Sequence, residues 1–248
     1  MNRSGFKNAG PSFWSLAILT FTLFVSPTFA QQAKPDTSLT PVGATKIWGK
    51  IDGVSIEGAV EGPSIEATPL QIACVFEYTE GDIFNSPPAL PEMLNGMVHL
   101  DKALNGIITD IRKSGKFTGH RFETILISPP PGKISPKKLL LIGLGDRNQF
   151  TAGLMRDIAV VAIREALRMG VTSFSFASDL KDAGVDSPTA LVAKNEVTGM
   201  FDAYRAELFL KQKNMSSFQP LTKITLLAGP SFFTVAGQGI SDAIATFK

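Results

Sequence analysis

The run from Lys138 to Asp146, Lys-Leu-Leu-Leu-Ile-Gly-Leu-Gly-Asp, is the stretch of this sequence that best indicates its fold class. Residues 139–142 are apolar without alternation, and a strand of that kind is usually covered on both faces of its sheet. Two glycines then predict a tight turn, and Thr151 is the predicted N-cap of a helix that runs to about Met169. A buried strand followed by a helix is the repeating unit of an α/β fold.

The same alternation of strands and helices extends in both directions from this run. Strands are predicted at residues 70–78, 122–128, 172–177 and 221–228. One apolar stripe at helical period predicts a single helix through Leu100 and Ile111, ended by Gly115. Further helices are predicted from Ser187, as N-cap, to about Lys211, and over residues 241–247. We therefore predict a mixed, mostly parallel sheet with helices on both faces.

A β-hairpin is predicted ahead of these elements, over residues 46–61. Its two apolar runs flank Asp52-Gly53, a pair that supplies the positive φ angles of a two-residue type I′ turn. The sequence leaves open whether this hairpin belongs to the core or pairs with another chain.

The first thirty residues have the order of a secretory signal peptide. Arg3 and Lys7 precede an uncharged run of 13 residues, 13–25, and Ala30 ends a segment of small residues. The apolar run is shorter than the roughly 20 residues that a spanning helix needs. We expect cleavage after Ala30, no membrane anchor afterwards, and a periplasmic or secreted product. Residues 31–45 form a predicted flexible linker, and residues 46–248 a single α/β domain.

The charge balance of the chain argues against nucleic acid as a partner, and its cysteine content argues against an internal disulfide. The leader holds two of the 24 basic residues and none of the 22 acidic ones, so residues 31–248 contain 22 of each. A balanced chain without a basic run lacks the electrostatic signature of nucleic-acid binding. The only cysteine, Cys74, stands in an apolar run and is predicted to be a buried structural residue.

Two stretches resemble the N-terminal domain of the leucyl (cytosol-type) aminopeptidase family. One is Leu-Asp-Lys-Ala-Leu-Asn-Gly at residues 100–106, with Gly-Lys-Phe-Thr-Gly at 115–119 and Glu-Thr-Ile-Leu-Ile at 123–127 downstream. The other is the run 138–146, with Thr151 and Arg156 opening the next helix. The resemblance covers about residues 68–247, so that residues 46–66 form a hairpin extension before it, and it implies a macro-domain-like α/β fold.

That family places its catalysis in a second, C-terminal domain, where a Lys, several Asp and a Glu hold two metal ions. The stretches that mark this domain are absent here, and the chain ends about where it would begin. The resemblance therefore implies a free-standing domain with no catalytic residue and no metal ligand. We expect no cofactor.

A ligand-binding hypothesis concerns Gly143, Leu144, Gly145, Asp146 and Arg147. Backbone amides at a turn between a buried strand and a helix can hold a phosphate. Asn148 stands where the full Gly-x-Gly-x-x-Gly pattern needs glycine, so a plain tight turn is the simpler interpretation.

Other polar residues have plain structural interpretations. His99 and His120 lack a metal-binding spacing and are predicted to lie at the surface. Asp179, Asp182 and Asp186 are predicted to form a solvated acidic loop.

Three functional hypotheses follow. The first is a non-catalytic exported module that acts by protein–protein contact, either as a homo-oligomer or with a peptidase partner. The second is a binder of a small ligand, such as a nucleotide or ADP-ribose, in the strand-end cleft near Gly143 to Arg147. The third is residual metal-dependent aminopeptidase activity.

Overall fold

The computed structural model describes residues 39–82 and 90–248, which fold into one mixed seven-stranded sheet flanked by helices. The predicted signal peptide and the first part of the predicted linker lie outside the described residues. The strands are β1 (Thr45–Ile51), β2 (Val54–Ala59), β3 (Gln71–Val75), β4 (Thr124–Ile127), β5 (Leu139–Gly143), β6 (Ser173–Ala177) and β7 (Lys223–Leu227). The helices are α1 (Gly96–Ala103), α2 (Ile107–Lys113), α3 (Leu154–Arg168), α4 (Thr189–Gln212) and α5 (Phe233–Thr246), with short 3-10 turns at Glu92–Leu94 and Arg147–Gln149.

The strand order is β1-β2-β7-β6-β3-β5-β4. The pairs from β2 to β5 are parallel, and β1 and β4 run antiparallel to their neighbours at the two edges. All residues of β3 and β5 are buried, as the uninterrupted apolar sequence of β5 predicts, and β3 buries the polar Gln71 as well. The predicted fold class is confirmed.

The hairpin of β1 and β2 is part of the main sheet, because β2 pairs in parallel with β7. Its turn has the predicted geometry, with φ angles of 50° at Asp52 and 85° at Gly53. The question that the sequence left open is thus answered in favour of the core.

Two hydrophobic cores lie on the two faces of the sheet. Alternate residues of β3 divide between them: Ile72 and Cys74 pack with α3, α4 and α5, whereas Ala73 and Val75 pack with α1 and α2. Cys74 is buried as predicted. Burial, followed by the charges of Asp179 and Glu196, raises the pKa of its thiol well above the ordinary value. These surroundings favour a protonated structural thiol.

The single helix predicted through Leu100 and Ile111 is wrong, because the chain forms two helices separated at Asn105 and Gly106. Both residues have positive φ angles, 58° and 81°. The buried Asp101 carboxylate accepts hydrogen bonds from the backbone N–H of Ile108 at 2.8 Å and from the Thr109 hydroxyl at 2.5 Å. Asp101 therefore caps the start of α2, a role that its place off the apolar stripe did not predict.

The last helix begins at Phe233, eight residues before the predicted start. Gly237 and Gly239 weaken the helical pattern, since glycine is a poor helix former. In the fold, a Cβ atom at Gly237 would lie 1.9 Å from the Trp48 ring. Glycine is needed there so that α5 can pack closely against β1.

The predicted N-cap roles of the Thr151 and Ser187 side chains are also wrong. The structure has α3 begin at Leu154 after Gly153, and α4 begin at Thr189 after Pro188, with no side-chain cap at either start. Thr151 contributes only its backbone carbonyl, to the N–H of Leu154 at 3.0 Å.

Candidate functional site

A cavity of about 300 Å³ lies beyond the carboxyl ends of β2, β6 and β7, and we call it the strand-end cavity. Its walls come from the segments after these three strands, from the first half of α4, and from the residues around α1 and the start of α5. Parallel strands end at the same edge of a sheet, and ligands of open α/β sheets bind there. A second cavity, beside Cys74 and Arg112, has a volume of only about 20 Å³.

Glu196 supplies a buried carboxyl group to the wall of this cavity. The residue is only 4% exposed, and its Oε1 atom has no hydrogen-bond partner within the described part of the chain. Burial raises the pKa of this carboxyl group to about 8, and a hydrogen bond with Ser178 opposes the rise. Glu196 is therefore largely protonated at neutral pH, and it ionises only when pH rises or a cation approaches.

Asp179 and Asp182 line the same cavity from the loop after β6. The Asp179 carboxylate accepts from the N–H of Cys74 at 3.1 Å, and that of Asp182 accepts from the N–H of Met97 at 3.1 Å. Burial and then the charge of Asp182 raise the pKa of Asp179, and burial raises the pKa of Asp182 to about 6. Asp179 and Asp182 are thus only partly exposed and are bonded within the fold, so that of the predicted solvated acidic loop Asp186 alone is fully exposed.

The backbone at Asp179 is unusual as well. Its φ angle is 54°, a left-handed conformation that aspartate adopts more readily than most residues. Such conformations often mark functional sites, where the surrounding structure compensates for the strain. Here the Asp179 carboxylate accepts a hydrogen bond from the N–H of Cys74 in β3. This bond holds the loop after β6, and with it the acidic side chains that line the cavity, against the sheet.

Large apolar side chains are exposed around the mouth of the cavity. We call Val42, Ile65, Met93 and Leu94 the apolar rim. Each is more than half exposed, with Met93 at 78%, and each also lines the cavity. Exposed apolar side chains that cluster in this way indicate a contact surface.

The ligand site predicted from the sequence lies at the end of β5, away from the strand-end cavity. The amides of Gly143, Leu144 and Gly145 already donate to the carbonyls of Glu123, Val75 and Gly119, at 2.8, 2.7 and 3.0 Å. The three amides are therefore engaged within the fold, and an anion at this turn would have to replace these bonds.

Asp146 and Arg147, the other two residues of that predicted site, also make local contacts. The Asp146 carboxylate accepts from the Asn148 N–H at 2.9 Å and opens a short 3-10 turn. Arg147 donates to the carbonyl of Ala183 and borders a second cavity of only about 20 Å³. None of residues 143–147 lines the strand-end cavity.

The two histidines lie apart. His99 is exposed at the edge of the strand-end cavity, whereas His120 is exposed near the end of β5 and pairs with Glu77 at 2.7 Å. Within residues 39–82 and 90–248, no group of three or more His, Cys, Asp or Glu side chains is arranged to hold a metal ion.

Besides Asp101, the sequence analysis missed two buried charged groups, Glu196 and Arg112. Glu196 had a detectable signal: it lies four residues from both Val192 and Met200, within the inward stripe of α4. The helical pattern places apolar residues at such a position. A carboxyl group there indicates either that the inward face of the helix was wrongly assigned or that the group has a function. Arg112 had no such signal. It is 2% exposed and pairs with Asp82 and the Phe76 carbonyl.

Residues 87–205 match the model of the N-terminal domain of the cytosol aminopeptidase family. A probable cytosol aminopeptidase of Nitrosococcus oceani is 29% identical over 153 residues, which cover 60% of this chain and 30% of that protein. Its counterpart in Acidobacterium capsulatum is 27% identical over 164 residues, covering 66% of this chain and 31% of that protein. The chain thus spans about 30% of the length of these curated relatives.

A solved macrodomain of Oceanobacillus iheyensis is similar in fold, with a TM-score of 0.50 and 14% identity over 82% of this chain and 99% of that one. At that identity the likeness concerns the fold alone. The resemblance predicted from the sequence is confirmed by the family match: over residues 87–205, this chain resembles the N-terminal domain of the cytosol aminopeptidase family.

Proposed function

We propose that this protein is an exported, non-catalytic module that acts by contact with another polypeptide chain, either a second copy of itself or a peptidase partner. The observation that supports the proposal is the apolar rim of Val42, Ile65, Met93 and Leu94 around the mouth of the strand-end cavity. Apolar side chains in that position are expected to become buried when a partner chain binds.

The open edge at β1 is a less suitable contact surface than the rim. The pairing of β1 with β2 shifts register between Ile47 and Gly49, and Lys46 and Lys50 are exposed on this strand. Irregular pairing and lysines are features by which natural edge strands avoid pairing with other chains. The expected contact is therefore made through side chains at the rim.

The non-catalytic part of the proposal is supported by the extent of the family match. The match is to the N-terminal domain, and none of the curated relatives compared is covered over more than 31% of its length. Release of leucine from a model substrate that depends on Mn²⁺ or Zn²⁺ and stops with a chelator would overturn this part.

Light scattering on the purified protein, alone and mixed with the purified catalytic domain of a cytosol aminopeptidase, tests the proposal. A stable oligomer would support self-association, and a monomer that forms a defined complex with the catalytic domain would support the peptidase partner. A protein that stays monomeric in both samples would contradict contact as its function.

A second candidate function is the binding of a small ligand in the strand-end cavity. It is favoured by one observation, the buried Oε1 atom of Glu196 that has no partner within the described residues. The candidate site for a small ligand therefore lies at the ends of β6 and β7, whereas the sequence analysis placed it at the end of β5. Stabilisation by any compound of a panel that includes ADP-ribose, nucleotides and amines tests it, because a ligand that binds the folded state raises the melting temperature.

A further inference from the structure

We propose that the strand-end cavity binds a small organic cation, a primary ammonium group on a short apolar chain, and that the Glu196 carboxylate receives the ammonium group. This inference rests on the second candidate function and names the chemical class of its ligand. Four features of the cavity support it: an unpartnered acceptor, an excess of acidic groups, an apolar wall, and a small volume.

The unpartnered acceptor is the Oε1 atom of Glu196. Buried polar atoms in native proteins nearly always have a hydrogen-bond partner, so one without a partner needs an explanation. An ammonium group offers three N–H donors and a positive charge, which together suit a buried carboxylate.

Glu196 is the acid of this cavity whose buried carboxyl oxygen has no hydrogen-bond partner within the described residues. The carboxylates of Asp179 and Asp182 already accept from the N–H groups of Cys74 and Met97. These two bonds hold the loop after β6 in place. The ligand is therefore expected to bond to Glu196, while Asp179 and Asp182 face it from the same wall.

The charges that line the cavity favour a cation over a phosphate. Four acidic residues take part in the lining: Glu61, Asp179, Asp182 and Glu196. The basic residues of the lining are Lys181 and His99, and Lys181 is bonded to Asp186 and to the Ser187 carbonyl, at 3.1 and 2.9 Å. An anionic nucleotide would meet this acidic excess, and like charges nearby oppose binding.

The remainder of the wall fixes the size and polarity of the ligand. Val60, Leu180, Val192, Leu226 and Phe232 line the cavity. Its volume of about 300 Å³ lies at the lower end of the range for ligand pockets. A short branched alkyl chain fits these apolar residues and leaves the ammonium group at Glu196.

Binding of isopentylammonium, measured by calorimetry, tests the inference, with isopentanol as the neutral analogue of similar shape. The Glu196→Gln variant removes the charge at nearly constant size. Glu207→Gln is the matched control, since Glu207 lies on the same helix and does not line the cavity. We expect the dissociation constant of the amine to rise at least tenfold in Glu196→Gln and to stay unchanged in Glu207→Gln. We also expect isopentanol to bind the wild type at least tenfold more weakly than the amine.

The pH dependence of binding gives a second readout. The titratable groups around Glu196 are Cys74, Glu61, His99, Asp179, Lys181 and Asp182. Since Glu196 must lose its proton to receive the cation, affinity for the amine is expected to rise by up to about tenfold per pH unit from pH 6 to 8 and then to level off. The rise over that interval should be much smaller in Glu196→Gln, where only the other groups around the cavity titrate.

The outcomes separate this inference from the function on which it rests. If isopentanol, ADP-ribose or a nucleotide binds while the amine does not, the cavity is a ligand site and the cation inference is overturned. If amine affinity is the same in Glu196→Gln as in the wild type, the assignment of Glu196 is wrong. If no compound of any class binds, both the small-ligand function and the inference fail.

Discussion

At the scale of single residues, the Glu196 carboxyl group makes the stability of the fold depend on pH. Its pKa is about 8 in the folded chain against an ordinary value of 4.5. Between these values the folded chain holds the proton more tightly than the unfolded chain, so stability is lost as pH rises from about 4.5 to about 8. The loss has a slope of up to about 1.4 kcal/mol per pH unit.

Glu196→Gln should remove this dependence, because an amide does not ionise. We expect the variant to be more stable than the wild type at pH 9, by on the order of 3 kcal/mol, with the difference shrinking toward pH 5. Urea unfolding at pH 5, 7 and 9 measures the difference in unfolding free energy between variant and wild type, with Glu207→Gln as the control. A difference that does not change with pH would contradict the assigned burial.

The buried pair of Arg112 and Asp82 is the second prediction at this scale. The Arg112 side chain is 1% exposed, and it also lies 5.7 Å from the Tyr78 ring centroid. Asp82→Asn leaves the buried guanidinium without its counter-charge and should cost about 3–5 kcal/mol of unfolding free energy.

Glu92→Gln is the matched control for Asp82→Asn. Glu92 pairs with Lys102 at the surface, where both side chains are more than half exposed. Exposed ion pairs contribute about 0–1 kcal/mol, so this variant should unfold almost as the wild type does. Equal losses in the two variants would show that Arg112 does not depend on Asp82.

At the scale of elements, the close packing of α5 on β1 depends on glycine. A Cβ atom at Gly237 would overlap the Trp48 ring, whereas one at Gly153 would meet only the Thr151 hydroxyl oxygen at an ordinary 3.8 Å. Gly237→Ala should therefore cost about 1–3 kcal/mol through overpacking, despite the better helix propensity of alanine. Gly153→Ala is expected to be nearly neutral. Thermal unfolding of both variants measures the two losses of stability. A melting temperature of Gly237→Ala equal to that of the wild type would contradict this packing.

Sequence patterns predicted those elements whose cause is local. The uninterrupted apolar run of β5 and the Asp-Gly turn between β1 and β2 are visible in short windows of sequence. The break between α1 and α2 depends on the Asp101 side chain, which reaches Ile108 and Thr109 only in the folded chain. The early start of α5 was missed because its glycines are explained by contacts with residues remote in sequence, Gly237 with the Trp48 ring and Gly239 with the Ala190 carbonyl.

The candidate site was harder to predict than the fold. Glu196 left a signal in the stripe of α4, but Asp179 and Asp182 follow no pattern that separates them from the exposed Asp186. Their partial burial results from the approach of β3 and α1 to the loop after β6. A site formed by the ends of several strands appears only when those strands are brought together.

At the scale of the whole molecule, export is a prediction that concerns the first thirty residues. No helix in the described part of the chain is long and apolar enough to cross a bilayer. The mass of protein recovered from the periplasm of a Gram-negative host should correspond to a chain that begins at Gln31. Ala30→Arg should block cleavage and serves as the control. Full-length wild-type protein in the membrane fraction would contradict the predicted cleavage.

The central claim, that the apolar rim is the contact surface, is tested most directly by light scattering on two matched variants. Met93 in the rim and Met215 after α4 are exposed to nearly the same extent, 78% and 76%. Under the conditions in which the wild type forms its oligomer or its complex with the peptidase domain, Met93→Asp should weaken association at least tenfold, because a charge at the rim would be buried by the partner. Met215→Asp should associate as the wild type does. Wild-type association of Met93→Asp would contradict the account.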